Sequence, residues 1–255
     1  MENDNDLLET LAKYFPIDQE IKIVEEYDEM LVINKPVGVV VNDAISAKGM
    51  TVQGWMRERY HFGVTPSDVP DKYQDWDRVN YLAFWERDGM VHRLDKETSG
   101  LLILAKNPDK FVELLRAFRE REVRKTYYAL VHGIPTNLEG EIDAPVGRLP
   151  WNRVRFGVFP GGRQALTSYK VINIWKKIAI EGVIGRYDFA LVELKPHTGR
   201  THQIRVHMQF LGTPIVGDEL YSGRKLLRVG KKLWKRMCLV AGKVEVGGEV
   251  WRIFS

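Results

Sequence analysis

Apolar and polar positions along the chain follow two periods. From Lys125 to Gly133 (KTYYALVHG) they alternate among β-formers, which predicts a strand. Ser168–Trp175 and Tyr187–Leu194 alternate in the same way, with residues 176–186 as their connection. Leu101–Ala105 is a continuous apolar run bounded by turn residues, the pattern of a buried strand. Leu31–Val41 (LVINKPVGVVV) predicts two short strands broken by a turn at Lys35-Pro36-Val37-Gly38. Val244–Ile253 predicts a hairpin turning at Gly247-Gly248.

Helical spacing appears elsewhere. Phe111, Leu114, Leu115 and Phe118 share one face, and Asn107-Pro108 supplies a cap and a first-turn proline. Arg116, Arg119 and Glu120 lie on the opposite face, as solvated residues do. Leu7–Tyr14 and Thr51–Tyr60 also read as helices. Thr201 is expected to cap a helix whose Ile204, Met208 and Leu211 face the core, ended by Gly212 and Pro214. Residues 63–89 carry Tyr73, Trp76, Tyr81, Phe84 and Trp85 among polar residues and prolines. So many aromatics predict an ordered insertion packed on the body.

Composition narrows the class. A chain of 255 residues forms one large domain or two small ones, and 44% hydrophobic with 28% charged residues is ordinary for a globule. The single cysteine, Cys238, excludes an internal disulfide and fits a reducing compartment. No apolar stretch reaches membrane-spanning length, so a cytoplasmic monomer is expected. The net charge of +4 hides an asymmetry: residues 1–29 hold ten acids against Lys13 and Lys22. The remainder has 36 basic and 24 acidic residues, a net of +12, which suits a polyanionic partner. The expected organisation is an acidic leader, 1–29, before a single catalytic domain, 30–255, that contains the 63–89 insertion.

One stretch dominates the chemistry. Val91–Lys106 reads VHRLDKETSGLLILAK and sets Asp95 on a polar turn at the mouth of the buried strand. A lone Arg-x-Asp is usually an ion-paired surface turn. The whole stretch, however, closely resembles the active-site motif of the RluA-type pseudouridine synthases. Lys35-Pro36-Val37-Gly38 resembles the family's Lys-Pro-x-Gly turn, and KTYYALVHG its tyrosine strand. Leu194–His207, LKPHTGRTHQIRVH, resembles its third motif.

The resemblance implies an α+β pseudouridine synthase fold: a long mixed, mainly antiparallel sheet flanked by helices, with a central active-site cleft. It implies that Asp95 is the catalytic carboxylate, that Tyr127 lies beneath the uracil, and that Arg205 pairs with Asp95. Arg93 would contact the RNA backbone, and Leu239 would pack against the base. It implies an RNA substrate, ribosomal or transfer, and no cofactor or metal. His202 and His207 lack the spacing of a metal pair and read as structural. Three departures stand out: the acidic leader leaves no room for the S4 domain of many relatives, Asn42 stands near a family histidine, and Leu239-Val240-Ala241 lacks another.

Two basic segments remain. Arg148–Arg163 interleaves Arg148, Arg153, Arg155 and Arg163 with Trp151, Phe156 and Phe159, without an acid. Arginines hold phosphates and aromatic faces stack on splayed bases, so RNA contact through Arg153 and Arg155 is favoured over a plain exposed hairpin. Ser222–Arg236 has seven basic residues and no acid, which suits phosphates. Two other classes stay open. A non-catalytic RNA-binding relative is opposed by the presence of Asp95, Tyr127 and Arg205 together. A glycoside hydrolase is opposed by the lack of a second prominent carboxylate.

Overall fold

The structure, a computed structural model, describes residues 2–43 and 49–254; the side chains of residues 2–4 and of Arg153 lie outside that description. The chain runs α1 (Glu2–Tyr14), β1 (Lys22–Glu26), β2 (Met30–Lys35), α2 (Val52–Tyr60), α3 (Asp75–Arg87) and β3 (Ser99–Ala105). Next come α4 (Pro108–Arg119), β4 (Arg124–His132), β5 (Glu139–Asp143), β6 (Val146–Leu149), β7 (Asn152–Val158) and β8 (Leu166–Ala179). It closes with β9 (Arg186–Pro196), α5 (Gln203–Phe210), α6 (Gly223–Leu233), β10 (Leu239–Val246) and β11 (Glu249–Arg252). The architecture is α+β, mixed but mainly antiparallel strands flanked by helices, as expected. Two compact units divide it: Met1–Ile17, Arg124–Lys243 and Phe254–Ser255 form one, and Asp18–Val123 with Val244–Ile253 the other.

In the Asp18–Val123 unit, β2 pairs antiparallel with β1 and with β3, Met30 opposite Ala105 and Lys35 opposite Gly100. All seven residues of β3 are buried, which explains its unbroken apolar run. Leu101, Ile103 and Ala105 pack with Phe111 and Leu114 of α4. That helix starts as its sequence predicts: Asn107 accepts the Lys110 amide at 2.8 Å, with Pro108 in the first turn.

Aromatic residues of the 63–89 segment pack inward. The segment forms α3, which the apolar pattern did not reveal. Phe84 meets Phe111 edge-on at 5.8 Å between ring centroids, and Val69 and Tyr73 cluster with Val112. The segment ends at Gly89, φ +79°, where a Cβ would lie 2.1 Å from the Ala105 carbonyl oxygen. Only glycine lets the chain pass β3 there.

The second predicted strand, after Gly38, is absent; Val40 makes one isolated bridge, to Thr51. The carbonyls of this segment are committed elsewhere. That of Val39 accepts from Lys35 Nζ at 2.8 Å, and those of Val40 and Val41 accept the Val52 and Gln53 amides at the start of α2.

The other unit orders its strands β10-β4-β9-β8-β5, with β6 and β7 as a separate two-stranded hairpin. Bulges between Val171 and Asn173 and between Trp175 and Ile178 bend β8. Strands β8 and β9 run longer than the alternation predicts, so their connection shrinks to residues 180–185. Helix α1 packs on β8 with Leu7, Leu11 and Phe15 buried, and Trp175 Nε1 donates to Asp6 at 2.7 Å. The expected Thr201 cap is not made. His202, with φ +57°, precedes α5, and the Gln203 side chain accepts from the Arg200 amide at 3.0 Å and from Thr198 Oγ1 at 2.7 Å. Because Gln203 occupies that polar corner, Thr201 is left exposed. The 222–236 basic run forms α6, which presses Val229 and Gly230 inward.

Candidate active site

The turn that carries Asp95 is fixed by its neighbours in sequence. Val91 and Leu94 are buried and anchor it. His92 Nε2 accepts the Ile103 amide at 3.1 Å, and its ring lies 4.5 Å from that of Phe118. The Thr98 amide donates to the Asp95 carbonyl at 3.1 Å. Arg93 is exposed and Asp95 half-buried, between the core and the face of this unit.

A second turn clamps the first. The Gly38 amide donates to the Lys96 carbonyl at 2.8 Å, and Lys35 Nζ donates to the same oxygen at 3.3 Å. Lys35 is fully buried, and its ammonium also donates to the Pro36 and Val39 carbonyls, both at 2.8 Å. Carbonyl dipoles thus solvate this cation inside the protein. The Lys-Pro-x-Gly segment positions the Asp95 turn, and the residue that does so, Lys35, was not singled out from the sequence.

Tyr127, Arg205 and Leu239 belong to the other unit. Tyr127 lies on β4 opposite Leu194 of β9 and is 9% exposed; Leu239, the first residue of β10, is buried. Arg205 projects from α5 into a two-pronged ion pair, Nε to Asp218 Oδ2 at 2.7 Å and Nη2 to Asp218 Oδ1 at 2.9 Å. Asp218 is fully buried and also accepts the Leu220 and Tyr221 amides at 3.0 and 3.2 Å. The fork geometry holds the guanidinium in one plane.

Tyr221 lies against that guanidinium, 5.1 Å from its ring centroid, and against that of Arg155 at 5.4 Å. Its hydroxyl accepts the Phe156 amide at 3.1 Å and meets His202 Nδ1 at 2.8 Å. Burial raises the Tyr221 pKa, so the hydroxyl keeps its proton. His207 is likewise structural: its ring nitrogens bond Thr167 Oγ1 at 2.9 Å and the Ala144 carbonyl at 3.0 Å.

The sequence reading missed Asp218 and Tyr221. The available signal was weak: two adjacent acids, Asp218 and Glu219, inside the short apolar Ile215–Tyr221 run, of which a buried one requires a cation. Arg155 is half-buried and turned onto Tyr221, and its buried Nε makes no hydrogen bond to any described residue. The Arg153 side chain lies outside the described residues. Among the described residues no cluster of His, Cys, Asp and Glu is suited to a metal, and no helix is long and apolar enough to cross a membrane.

Residues 29–210 match the family model for RNA pseudouridylate synthase. An uncharacterized RNA pseudouridine synthase of Aquifex aeolicus is 37% identical over 217 residues, 85% of this chain and 60% of that protein. Ribosomal large subunit pseudouridine synthase D of Pseudomonas aeruginosa is 35% identical over 216 residues, 85% of this chain and 58% of that protein. Among solved structures, human RNA pseudouridylate synthase domain containing 1 aligns with a TM-score of 0.66 at 27% identity, over 92% of this chain and 83% of that one. The chain spans 52–62% of the length of the first curated relatives it matches.

Proposed function

This chain belongs to the RNA pseudouridylate synthase family, of the RluA type, and on that premise we propose that it isomerises uridine to pseudouridine in a structured RNA, ribosomal or transfer. The observation that carries the proposal is the family match over residues 29–210, which includes the Asp95 turn, the Tyr127 strand and Arg205. The protein would act in the cytoplasm as a monomer.

In this reaction the N1–C1′ bond breaks, the uracil turns, and a C5–C1′ bond forms. C5 loses a proton and N1 gains one, so no electron donor or acceptor is required. Asp95 acts on the sugar, as nucleophile at C1′ or as base at C2′. Arg205 is the counter-charge that keeps a carboxylate ionised, and its buried fork on Asp218 supports a fixed position. Tyr127 stacks beneath the uracil, which has left its helix to reach the site. Arg93 is exposed, as contact with a phosphate requires. Leu239 packs against the base, and Arg153 and Arg155 belong to the RNA-contacting hairpin.

The test replaces Asp95 with Asn, which keeps size and removes charge and nucleophile. On total RNA from a strain lacking the gene, the wild-type protein forms pseudouridine in single turnover and Asp95→Asn forms none, while RNA affinity persists. An Asp95→Asn protein that still isomerises uridine would overturn the assignment. A folded variant that neither reacts nor binds would make Asp95 an organiser of the RNA site. A wild-type protein that binds RNA without reacting would establish the non-catalytic alternative.

A further inference from the structure

The base of the β6–β7 hairpin encloses a cavity of about 330 Å³ with the 159–163 turn and residues 199–201. None of Asp95, Tyr127 and Arg205 lines it. Its charged lining residues are Arg148, Arg163 and Arg200, and no acid is among the described residues that line it. Phe156 and Phe159 supply its aromatic walls. The volume suits a small organic ligand rather than a bare ion.

Glycines shape the cavity around one ring. A Cβ on Gly147 would lie 2.8 Å from Phe159 Cε1, and one on Gly161 would lie 2.6 Å from Cε2. The Phe159 ring is thus wedged between two backbone segments, rigid before any ligand arrives. The arginines are mounted on fixed backbone. Val146 and Arg163 exchange two backbone hydrogen bonds, each 2.9 Å. Arg200 donates its amide to Gln203 Oε1 at 3.0 Å and its Nε to the Gln164 carbonyl at 3.1 Å. Arg148 lies 5.2 Å from the centroid of the Phe156 ring. The Phe156 amide in turn bonds Tyr221, which underlies Arg205. One wall of the cavity is therefore two contacts from the arginine assigned to the reaction.

We propose that this cavity holds one unpaired RNA nucleotide other than the target uridine, its phosphate on Arg148, Arg163 and Arg200 and its base against Phe159. Cations alone would suit any anion. The pre-set aromatic wall beside them selects a base attached to that anion. The proposal rests on the RNA-modifying reading above and adds to it a second point of grip.

The experiment uses the full chain and a fluorescein-labelled single-stranded decauridylate, with melting curves for every variant. Phe159→Ala is expected to weaken binding about tenfold with an unchanged salt slope. Arg163→Gln is expected to weaken binding and flatten the log–log salt slope by about 0.7. Lys170→Gln, the same charge change on β8 outside the cavity, is expected to leave affinity unchanged. Should Phe159→Ala lower the melting temperature, Phe159→Leu keeps the wall filled and still loses stacking. Wild-type affinity in both cavity variants, or no binding of decauridylate by the wild type, overturns the proposal. So does inorganic phosphate competing as well as uridine 5′-monophosphate, which would make the cavity a phosphate site. Pseudouridine formation on total RNA is read in parallel. If the wild type makes none while the cavity variants lose decauridylate affinity, the enzymatic reading fails and the nucleotide site stands. If the wild type reacts and the variants bind normally, the reverse holds.

Discussion

Asp218 is the residue on which the geometry of Arg205 depends. Both carboxylate oxygens receive guanidinium nitrogens, and two backbone amides complete the shell. Asp218→Asn removes a charge partner from a buried guanidinium, at a cost of about 3 kcal/mol. Urea unfolding should show that loss, and pseudouridine formation should fall in the folded fraction. Unchanged stability would mean that Arg205 is held by other groups. Sequence reading found Arg205 because a motif resemblance names it. The same resemblance pairs Arg205 with Asp95, and the sequence reading named no second acid for it. Lys35 was passed over for a related reason: three carbonyl ligands, unlike a carboxylate, leave no signature in residue types.

At the scale of elements, local chemistry was legible wherever one residue type satisfies one backbone need. Asn107-Pro108 announced α4, and Gly247-Gly248, with φ of +59° and +87°, announced the β10–β11 turn. Asn107→Ala removes the acceptor of the Lys110 amide and should cost about 1 kcal/mol, measurable as a lower urea midpoint at constant slope. An unchanged midpoint would show that water replaces the cap. Helix α3 was not legible. Val79 is 69% exposed while Tyr81, Leu82, Phe84 and Trp85 crowd the next turns, and the Gln74 side chain makes no cap. Packing against α4 stabilises it, and a single segment's pattern cannot display its neighbour. The strand expected after Gly38 failed for the complementary reason, since its carbonyls serve Lys35 and the start of α2 instead of a ladder.

At the scale of the whole molecule, buried histidines contribute to the response to acid. Burial takes His132 from its ordinary 6.5 to about 4, and it also lowers His207. Between those values the unfolded chain binds a proton at residue 132 that the folded chain refuses. Stability is therefore complete above about pH 6.5 and declines as the pH falls towards 4, by about 2 to 3 kcal/mol from this one group. Unfolding measured at pH 7.5 and 4.5 should show the decline, and His132→Leu should lessen it. A variant with the wild-type pH dependence would place the effect elsewhere.

The division into two units carries a consequence of a different kind. One unit is assembled from three stretches of chain and the other from two, interleaved along the sequence. No single run of codons encodes either unit whole. Neither could be gained, lost or exchanged by a recombination event that moves one uninterrupted piece of gene. Random truncation libraries should therefore yield no soluble fragment that corresponds to one unit alone, and the shortest heritable version of this architecture contains both.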